Sequence, residues 1–129
     1  MPTINYKEAL ITRVIDGTKP HTIHFGKRIY KVGQTAIHCT GNRTPNRKEH
    51  RRDLITSVTR INIKFQPNDE SIWINGWLIS DRAMRELAQN DGFKSYTEFI
   101  NFFKATHGEN FDIDGLLIQW GTPINYNQL

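Results

Sequence analysis

Two neighbouring strand-like segments constrain the fold of this chain more than any other feature. Residues 54–65 read LITSVTRINIKF and residues 71–80 read SIWINGWLIS, with the turn sequence QPND following the first segment. β-Branched and aromatic residues bounded by turn residues are typical of paired strands. In the first segment Ile61 and Ile63 are two positions apart and therefore share one face of a strand, whereas Val58 falls on the opposite face. This switch predicts a β-bulge or a strongly curved strand, which barrels use.

Three helical patterns surround these strands. Residues 5–17, NYKEALITRVIDG, carry a wide apolar stripe and end in a glycine suited to a left-handed C-terminal cap. Ser80 and Gly92 are expected to begin and end a second helix. The capping box SYTE opens a third helix with several phenylalanines on one face, and Gly108 ends it. One helix is therefore predicted before the paired strands and two after them.

The remaining segments complete the predicted architecture. A turn at residues 31–34 precedes a short β-branched strand, and residues 115–120, GLLIQW, form a closing strand. Residues 41–53, GNRTPNRKEHRRD, contain no aliphatic side chain and are predicted to form a loop. The order of helix, several strands, two helices and strand predicts a single α+β domain over residues 1–129. Its expected core is a small curved β-sheet or β-barrel with flanking helices.

Charge is divided unevenly along the chain. Residues 1–64 hold 13 Lys and Arg against 4 Asp and Glu, whereas residues 65–129 hold 4 against 9. This asymmetry indicates a basic face that meets a polyanion, with a solvated basic face as the alternative. The basic residues of the predicted loop are Arg43, Arg47, Lys48, Arg51 and Arg52. Arginine suits phosphate because its planar guanidinium bonds two oxygens at once.

Several functional classes are excluded by the residues present. The single cysteine, Cys39, excludes an intramolecular disulfide and a four-cysteine zinc site. The five histidines lack the spacing of metal ligands, and no nucleophile-elbow, Walker A or dinucleotide motif occurs. No segment resembles a signal peptide or an apolar membrane span. The sequence therefore predicts a cytoplasmic protein without a metal, a cofactor or a membrane partner.

Polar side chains are concentrated directly after the first helix, in residues 17–25, GTKPHTIHF. Pro20 disfavours helical backbone at Lys19, so the chain is expected to continue in an extended conformation. Asp91 falls on the apolar stripe of the second predicted helix. A buried carboxylate needs a partner, which Lys19 could supply. The alternative is that Asp91 is only a polar residue at a helix end.

The order and spacing of several short motifs carry a family resemblance. The motifs are DGTKPHTIHF, YKVGQTAIHCTG, VTRINIKF, DGFKSYTEFINFFKATHG and GLLIQW. Together, over about residues 6–120, they resemble the ASCH domain family, which is related to the PUA domains. The resemblance implies a compact PUA-like β-barrel with flanking helices and a cleft. It also implies a role in RNA binding, RNA modification or coactivator-type regulation.

One branch of this family is similar to bacterial amidohydrolases that deacylate N4-acetylcytidine. The resemblance places the roles of that branch on Lys19, Thr22 and Asp91. Thr22 would attack the amide carbonyl, Lys19 would accept its proton, and Asp91 would orient the lysine. Aspartate stands at the glutamate position of the family, and His24 stands at an arginine position. Strand alternation places Lys19 and Thr22 on opposite faces, so their cooperation requires a bend at Pro20.

The sequence leads to a preferred function and two alternatives. The preferred function is a binding module for RNA or a modified nucleotide, in a cleft between residues 19–24 and the 43–52 loop. The first alternative is hydrolysis of the linear amide of an N-acylated pyrimidine nucleoside, and the second is binding of an acidic protein. Tyr30, Trp73 and Trp77 are candidate stacking partners, although tryptophan more often packs in a core. The residues expected to bind nucleic acid are Lys19, His21, His24, Arg43, Arg47, Lys48, Arg51 and Arg52.

Overall fold

Seven strands and three α-helices make up the computed structural model, which describes residues 1–129. The strands are β1 (Thr3–Tyr6), β2 (His21–His24), β3 (Thr35–Thr40), β4 (Lys48–Gln66), β5 (Asp69–Ile74), β6 (Trp77–Leu78) and β7 (Phe111–Trp120). The helices are α1 (Glu8–Ile15), α2 (Asp81–Asn90) and α3 (Tyr96–His107), and a short 3-10 helix spans Tyr126–Gln128. The predicted α+β class is confirmed.

The long strand β4 organises a mixed sheet. Its first part pairs antiparallel with β3, and its second part pairs antiparallel with β5 at one edge and β7 at the other. The strand β1 adds to β3 in parallel, β2 adds to β7, and β6 adds to β5. No pairing joins β1 to β2, so the sheet is not closed.

The predicted bulge in β4 is present, but it is not what separates the apolar residues onto two faces. The pairing of β4 with β7 shifts register between Ile55 and Ser57, as expected for a bulge. Beyond the shift, Ile61 and Ile63 are buried in the core. Leu54, before the shift, is 55% exposed. Val58, also beyond the shift, packs on the opposite face against the apolar cluster that contains Val14, so the switch of parity reflects a strand covered on both faces.

Helices cover both faces of the sheet around β7. Leu117 belongs to the larger apolar cluster, which includes the buried faces of α2 and α3. Ile118 belongs to the smaller cluster, which includes Ile11 and Val14 of α1. Because successive strand residues point to opposite faces, β7 is covered on both sides. None of the helices has the length and apolarity needed to cross a membrane.

The helix ends follow the sequence signals. The Ser80 hydroxyl accepts from the main-chain N–H of Ala83, and the Ser95 hydroxyl accepts from that of Glu98. Gly17 follows α1 with a φ of 84°. This left-handed conformation suits glycine and turns the chain toward residue 19. The predicted caps of all three helices are thus present in the structure.

Two predicted boundaries are wrong. Residues 5 and 6 belong to β1 rather than to the first helix, because they pair with β3. Residues 48–53 belong to β4 rather than to a loop, because they also pair with β3. Their charged side chains are compatible with a strand because they pair with one another. Arg52 bonds Glu49, and Arg51 bonds Asp53.

Candidate functional site

Lys19 and Asp91 form a buried ion pair between the start of β2 and the end of α2. The lysine Nζ lies 2.7 Å from Oδ1 of Asp91 and 2.8 Å from its main-chain oxygen. Only 2% of the Lys19 side chain is exposed. The cap of α1 brings the lysine here, because the main-chain N–H of Lys19 donates to the Arg13 carbonyl. The sequence prediction that Lys19 supplies the partner of Asp91 is confirmed.

A chain of hydrogen bonds extends from this pair. Nδ1 of His21 lies 3.2 Å from Oδ1 of Asp91, and its Nε2 lies 2.6 Å from the Tyr126 hydroxyl. Nδ2 of Asn90 donates to the same hydroxyl at 3.0 Å. When His21 is neutral, both of its ring nitrogens have a hydrogen-bond partner: Nδ1–H donates to the Asp91 carboxylate, and Nε2 accepts from the Tyr126 hydroxyl.

His21 and Asp91 of this network have shifted pKa values. Burial lowers the pKa of His21, although the Asp91 carboxylate acts in the opposite direction. Burial alone would raise the pKa of Asp91, but the Lys19 ammonium and the His21 hydrogen bond lower it below its ordinary value. The network therefore holds an ionised carboxylate beside a neutral imidazole. Since its members are buried, their main effect is to join β2, α2 and the C-terminal 3-10 helix.

The third proposed catalytic residue lies outside this network. Thr22 follows His21 on β2 and forms no hydrogen bond with Lys19 or Asp91. It lines a separate cavity of about 280 Å³, between the unpaired edges of β1 and β2, together with His24. The structure therefore brings Lys19 and Asp91 together and places Thr22 apart from them. The Nε2 atom of His24 is buried and has no hydrogen-bond partner.

A second buried network, which sequence reasoning missed, joins β1, β3 and β4. The Tyr6 hydroxyl lies 2.9 Å from Nδ1 of His38, and Nε2 of His38 lies 3.0 Å from Asp53. Burial lowers the pKa of His38 and raises that of Tyr6. Nε of Arg51 approaches Asp53 at 2.8 Å, and its Nη1 also donates to the Val14 carbonyl. These contacts join β4 to the end of α1.

The predicted basic loop is therefore largely a strand with internal ion pairs. Arg51 and Arg52 are engaged with acidic neighbours. Arg43 lies on the turn before β4, and Arg47 and Lys48 follow it. All three are exposed and form no ion pair. The segment consequently offers three free cations rather than five.

The largest open groove lies elsewhere, beside the β5–β6 hairpin. It has a volume of about 760 Å³. Lys27 and Arg28 lie on one side of it, Arg60 lies on β4, and Trp73 lies on β5. The indole of Trp73 is held by a hydrogen bond to the Ser71 hydroxyl, and the residue is 36% exposed. We call this depression the cationic groove.

Two exposed tryptophans are the main feature that sequence reasoning assigned differently. Trp73 and Trp77 were expected to pack in the core, yet Trp77 is 70% exposed. The signal was available in the alternation of residues 72–74, where Ile72 and Ile74 are buried and Trp73 points outward. Tyr126 had no comparable signal, because its partner His21 is distant in sequence.

Comparisons with protein-family models, curated proteins and solved structures gave no match for this chain. The structure contains no group of three or more His, Cys, Asp or Glu side chains placed to hold a metal ion.

Proposed function

We propose that this protein binds single-stranded nucleic acid, with RNA as the expected class, through the cationic groove. The observation that carries the proposal is the position of Trp73 among Lys27, Arg28 and Arg60 in one open depression. Cationic side chains contact the phosphates of a single strand, and an exposed aromatic ring stacks on its bases. The groove combines both features, since its three cations come from the more basic half of the chain and Trp73 comes from the other half.

The indole of Trp73 is held in a fixed orientation that suits such stacking. Its Nε1 donates to Ser71, which fixes the orientation of the ring. Nζ of Lys64 lies 5.9 Å from the ring centroid and adds a further positive charge beside it. Asp114 also lines the groove, and Asn62 donates to its carboxylate at 2.9 Å. This carboxylate reduces the positive charge at one end and orients the strand toward the three cations.

The proposal moves the binding site away from the residues that the sequence favoured. Lys19 and His21 are buried and bonded to Asp91, so a ligand cannot reach them without breaking an ion pair. Arg51 and Arg52 are bonded to acidic neighbours. The free cations at Arg43, Arg47 and Lys48 would serve as a secondary contact for a longer strand.

The family resemblance supports the same class of ligand. We propose that the sheet is a PUA-like barrel left open between β1 and β2, whose unpaired edges share one cavity. The order and spacing of the motifs and the α+β architecture are compatible with this assignment. Proteins of this family are associated with RNA, which agrees with the chemistry of the cationic groove.

A salt-dependent titration tests the proposal. Binding of a fluorescently labelled single-stranded RNA should weaken strongly between about 50 and 200 mM salt. If Lys27, Arg28 and Arg60 each contact a phosphate, the slope of log K against log salt should be about −2. Arg60→Ala should lower the affinity at every salt concentration. Arg85→Ala, which removes an exposed arginine outside the groove, is the matched control. Absence of binding even at low salt would refute the proposal.

The Lys19–Asp91 contact favours a second candidate function, deacylation of an N-acylated pyrimidine nucleoside. Two of the three residues of that assignment meet at 2.7 Å. The hydroxyl of Thr22, the assigned nucleophile, is not bonded to either of them, and the pair itself is buried. A general base must lie within hydrogen-bond reach of the proton that it accepts. We therefore prefer binding to hydrolysis.

A further inference from the structure

A second depression lies on the other face of the β5–β6 hairpin. It has a volume of about 400 Å³, and we call it the side pocket. Asn75 and Gly76, both with positive φ, form the hairpin turn, and Asn75 borders the groove and the side pocket alike. Trp77 pairs with Ile74, the neighbour of Trp73, so the two indoles point to opposite faces of the hairpin. One indole lines the groove and the other lines the side pocket.

Polar residues line the side pocket along a face of the sheet that is apolar farther along the same strand. Along one face of β4, the buried residues Ile63 and Ile61 are followed by Thr59 and Ser57, which line the pocket. The hydroxyl of Thr59 is buried and has no hydrogen-bond partner. Such a group is destabilising unless a ligand or water atom satisfies it.

Other polar groups of the pocket are already engaged in holding its shape. The Gln119 amide accepts from the main-chain N–H of Ile124 at 2.9 Å and donates to its carbonyl at 3.0 Å. Nδ2 of Asn127 donates to the Ile74 carbonyl. These bonds fix the C-terminal segment as one wall of the pocket. Thr59 and the side chain of Asn75 form no such bonds, so the hydrogen-bonding capacity of both is unused at the wall of the pocket.

The chemistry of these walls selects a neutral, flat, hydrogen-bonding ligand. No charged residue lines the side pocket. The Trp77 indole, 70% exposed, offers a stacking surface. The hydroxyl of Thr59 and the amide of Asn75 each donate and accept hydrogen bonds. A nucleobase has this combination of an aromatic face and a polar edge, whereas a phosphate would find no cation here.

We propose that the side pocket accepts one nucleobase of a strand whose phosphates lie in the cationic groove. The inference rests on the proposed nucleic-acid binding and adds base selectivity to it. Trp77 stacks on the base, and Thr59 and Asn75 bond its edge. Asn75 borders both depressions, so a nucleotide that crosses the hairpin turn places its phosphate and its base on the two sides of this residue.

Oligonucleotides of different composition test the side pocket. Labelled oligo(A), oligo(C), oligo(U) and an abasic strand of equal length are titrated by fluorescence anisotropy. The wild-type affinities for the three bases should differ by roughly fivefold to tenfold, since one or two hydrogen bonds to the base edge change. Thr59→Val keeps the shape and removes the hydroxyl. It should reduce this spread to about twofold and leave abasic binding unchanged. Trp77→Leu should weaken every base-bearing strand but not the abasic one.

Free nucleosides separate the side pocket from the groove. A nucleoside carries no phosphate, so it should shift the indole N–H resonance of Trp77 in wild type, and Thr59→Val should require a roughly fivefold higher nucleoside concentration for the same shift. If oligo(A), oligo(C) and oligo(U) bind with equal affinity and Trp77→Leu binds them as tightly as wild type does, the side-pocket inference is overturned and the groove stands. If nucleosides shift the Trp77 resonance but no oligonucleotide binds, the pocket stands and the proposed function fails. If neither ligand binds, both are refuted.

Discussion

The Nζ atom of Lys19 bonds both the carboxylate and the main-chain carbonyl of Asp91, at 2.7 and 2.8 Å. The two residues are 72 positions apart, so this contact joins the segment after α1 to the end of α2. The ammonium neutralises a buried carboxylate and also satisfies a carbonyl at a helix C-terminus. A single lysine therefore meets two requirements of the same helix end.

Loss of Lys19 should destabilise the fold. Lys19→Met leaves the Asp91 carboxylate buried without its cation, so the free energy of unfolding should fall by about 3–5 kcal/mol. Urea unfolding followed by circular dichroism measures this change. Lys94→Met, at an exposed position of the loop before α3, is the matched control and should change stability by less than about 0.5 kcal/mol.

The charge can be separated from the packing by a double variant. Lys19→Met combined with Asp91→Asn removes both charges, and its loss of stability should be smaller than that of Lys19→Met alone. A double variant at least as unstable as the single one would show that packing of the lysine stem, rather than the ion pair, stabilises this site.

Stability should decrease in mild acid because of the buried histidines. Burial lowers the folded-state pKa of His21 and of His38. Their rings bind protons in the unfolded chain near pH 6.5 but remain neutral in the folded protein to lower pH. The unfolded state therefore binds more protons below about pH 6.5. The free energy of unfolding should fall there by up to about 1.4 kcal/mol per pH unit for each histidine.

A second acid-dependent loss should follow at lower pH. The pKa of Asp91 is lowered in the folded state, so its contribution is complete above about pH 3.9 and is lost as the pH falls through the folded value. Urea titrations at several pH values between about 8 and 2 would separate the two losses. His38→Gln should show a shallower decline than wild type between about pH 6.5 and 5. A flat profile over that interval would contradict a neutral, buried His21 and His38.

Local signals predicted much of the fold because their physical causes are local. Ser80 and Ser95 cap helices by bonding main-chain groups three residues away. The partner of Asp91 was also predictable, since a carboxylate on an apolar stripe requires a cation and Lys19 lies in an extended polar segment.

The parts that could not be predicted depend on which strands become neighbours. The 48–53 segment has the composition of a loop, and its strand conformation results from pairing with β3. The cationic groove combines the turn around Arg28 with β4 and β5, so its residues share no sequence pattern. Thr22 was assigned by resemblance alone. Whether its hydroxyl meets Lys19 depends on the backbone at Pro20 rather than on residue type.

The structure predicts no deacylation of N4-acetylcytidine. The Thr22 hydroxyl is not bonded to Lys19, and it lines a different cavity. Without a base within hydrogen-bond reach, the hydroxyl is a weak nucleophile. Incubation of wild type with N4-acetylcytidine, followed by chromatographic detection of cytidine, should give no product above the uncatalysed background. Turnover by wild type would contradict this prediction, and its loss in Thr22→Val, which leaves the Lys19–Asp91 pair intact, would restore the hydrolase assignment.

Trp73 and Arg60 should make separable contributions to binding of a single strand. Trp73→Leu removes a stacking surface without changing charge, so it should weaken RNA binding by about tenfold and leave the salt slope unchanged. Arg60→Ala removes one phosphate contact, so it should reduce the magnitude of the slope by about 0.7. Anisotropy titrations at several salt concentrations measure both quantities. If Trp73→Leu altered the slope while Arg60→Ala did not, the strand would have to bind outside the cationic groove.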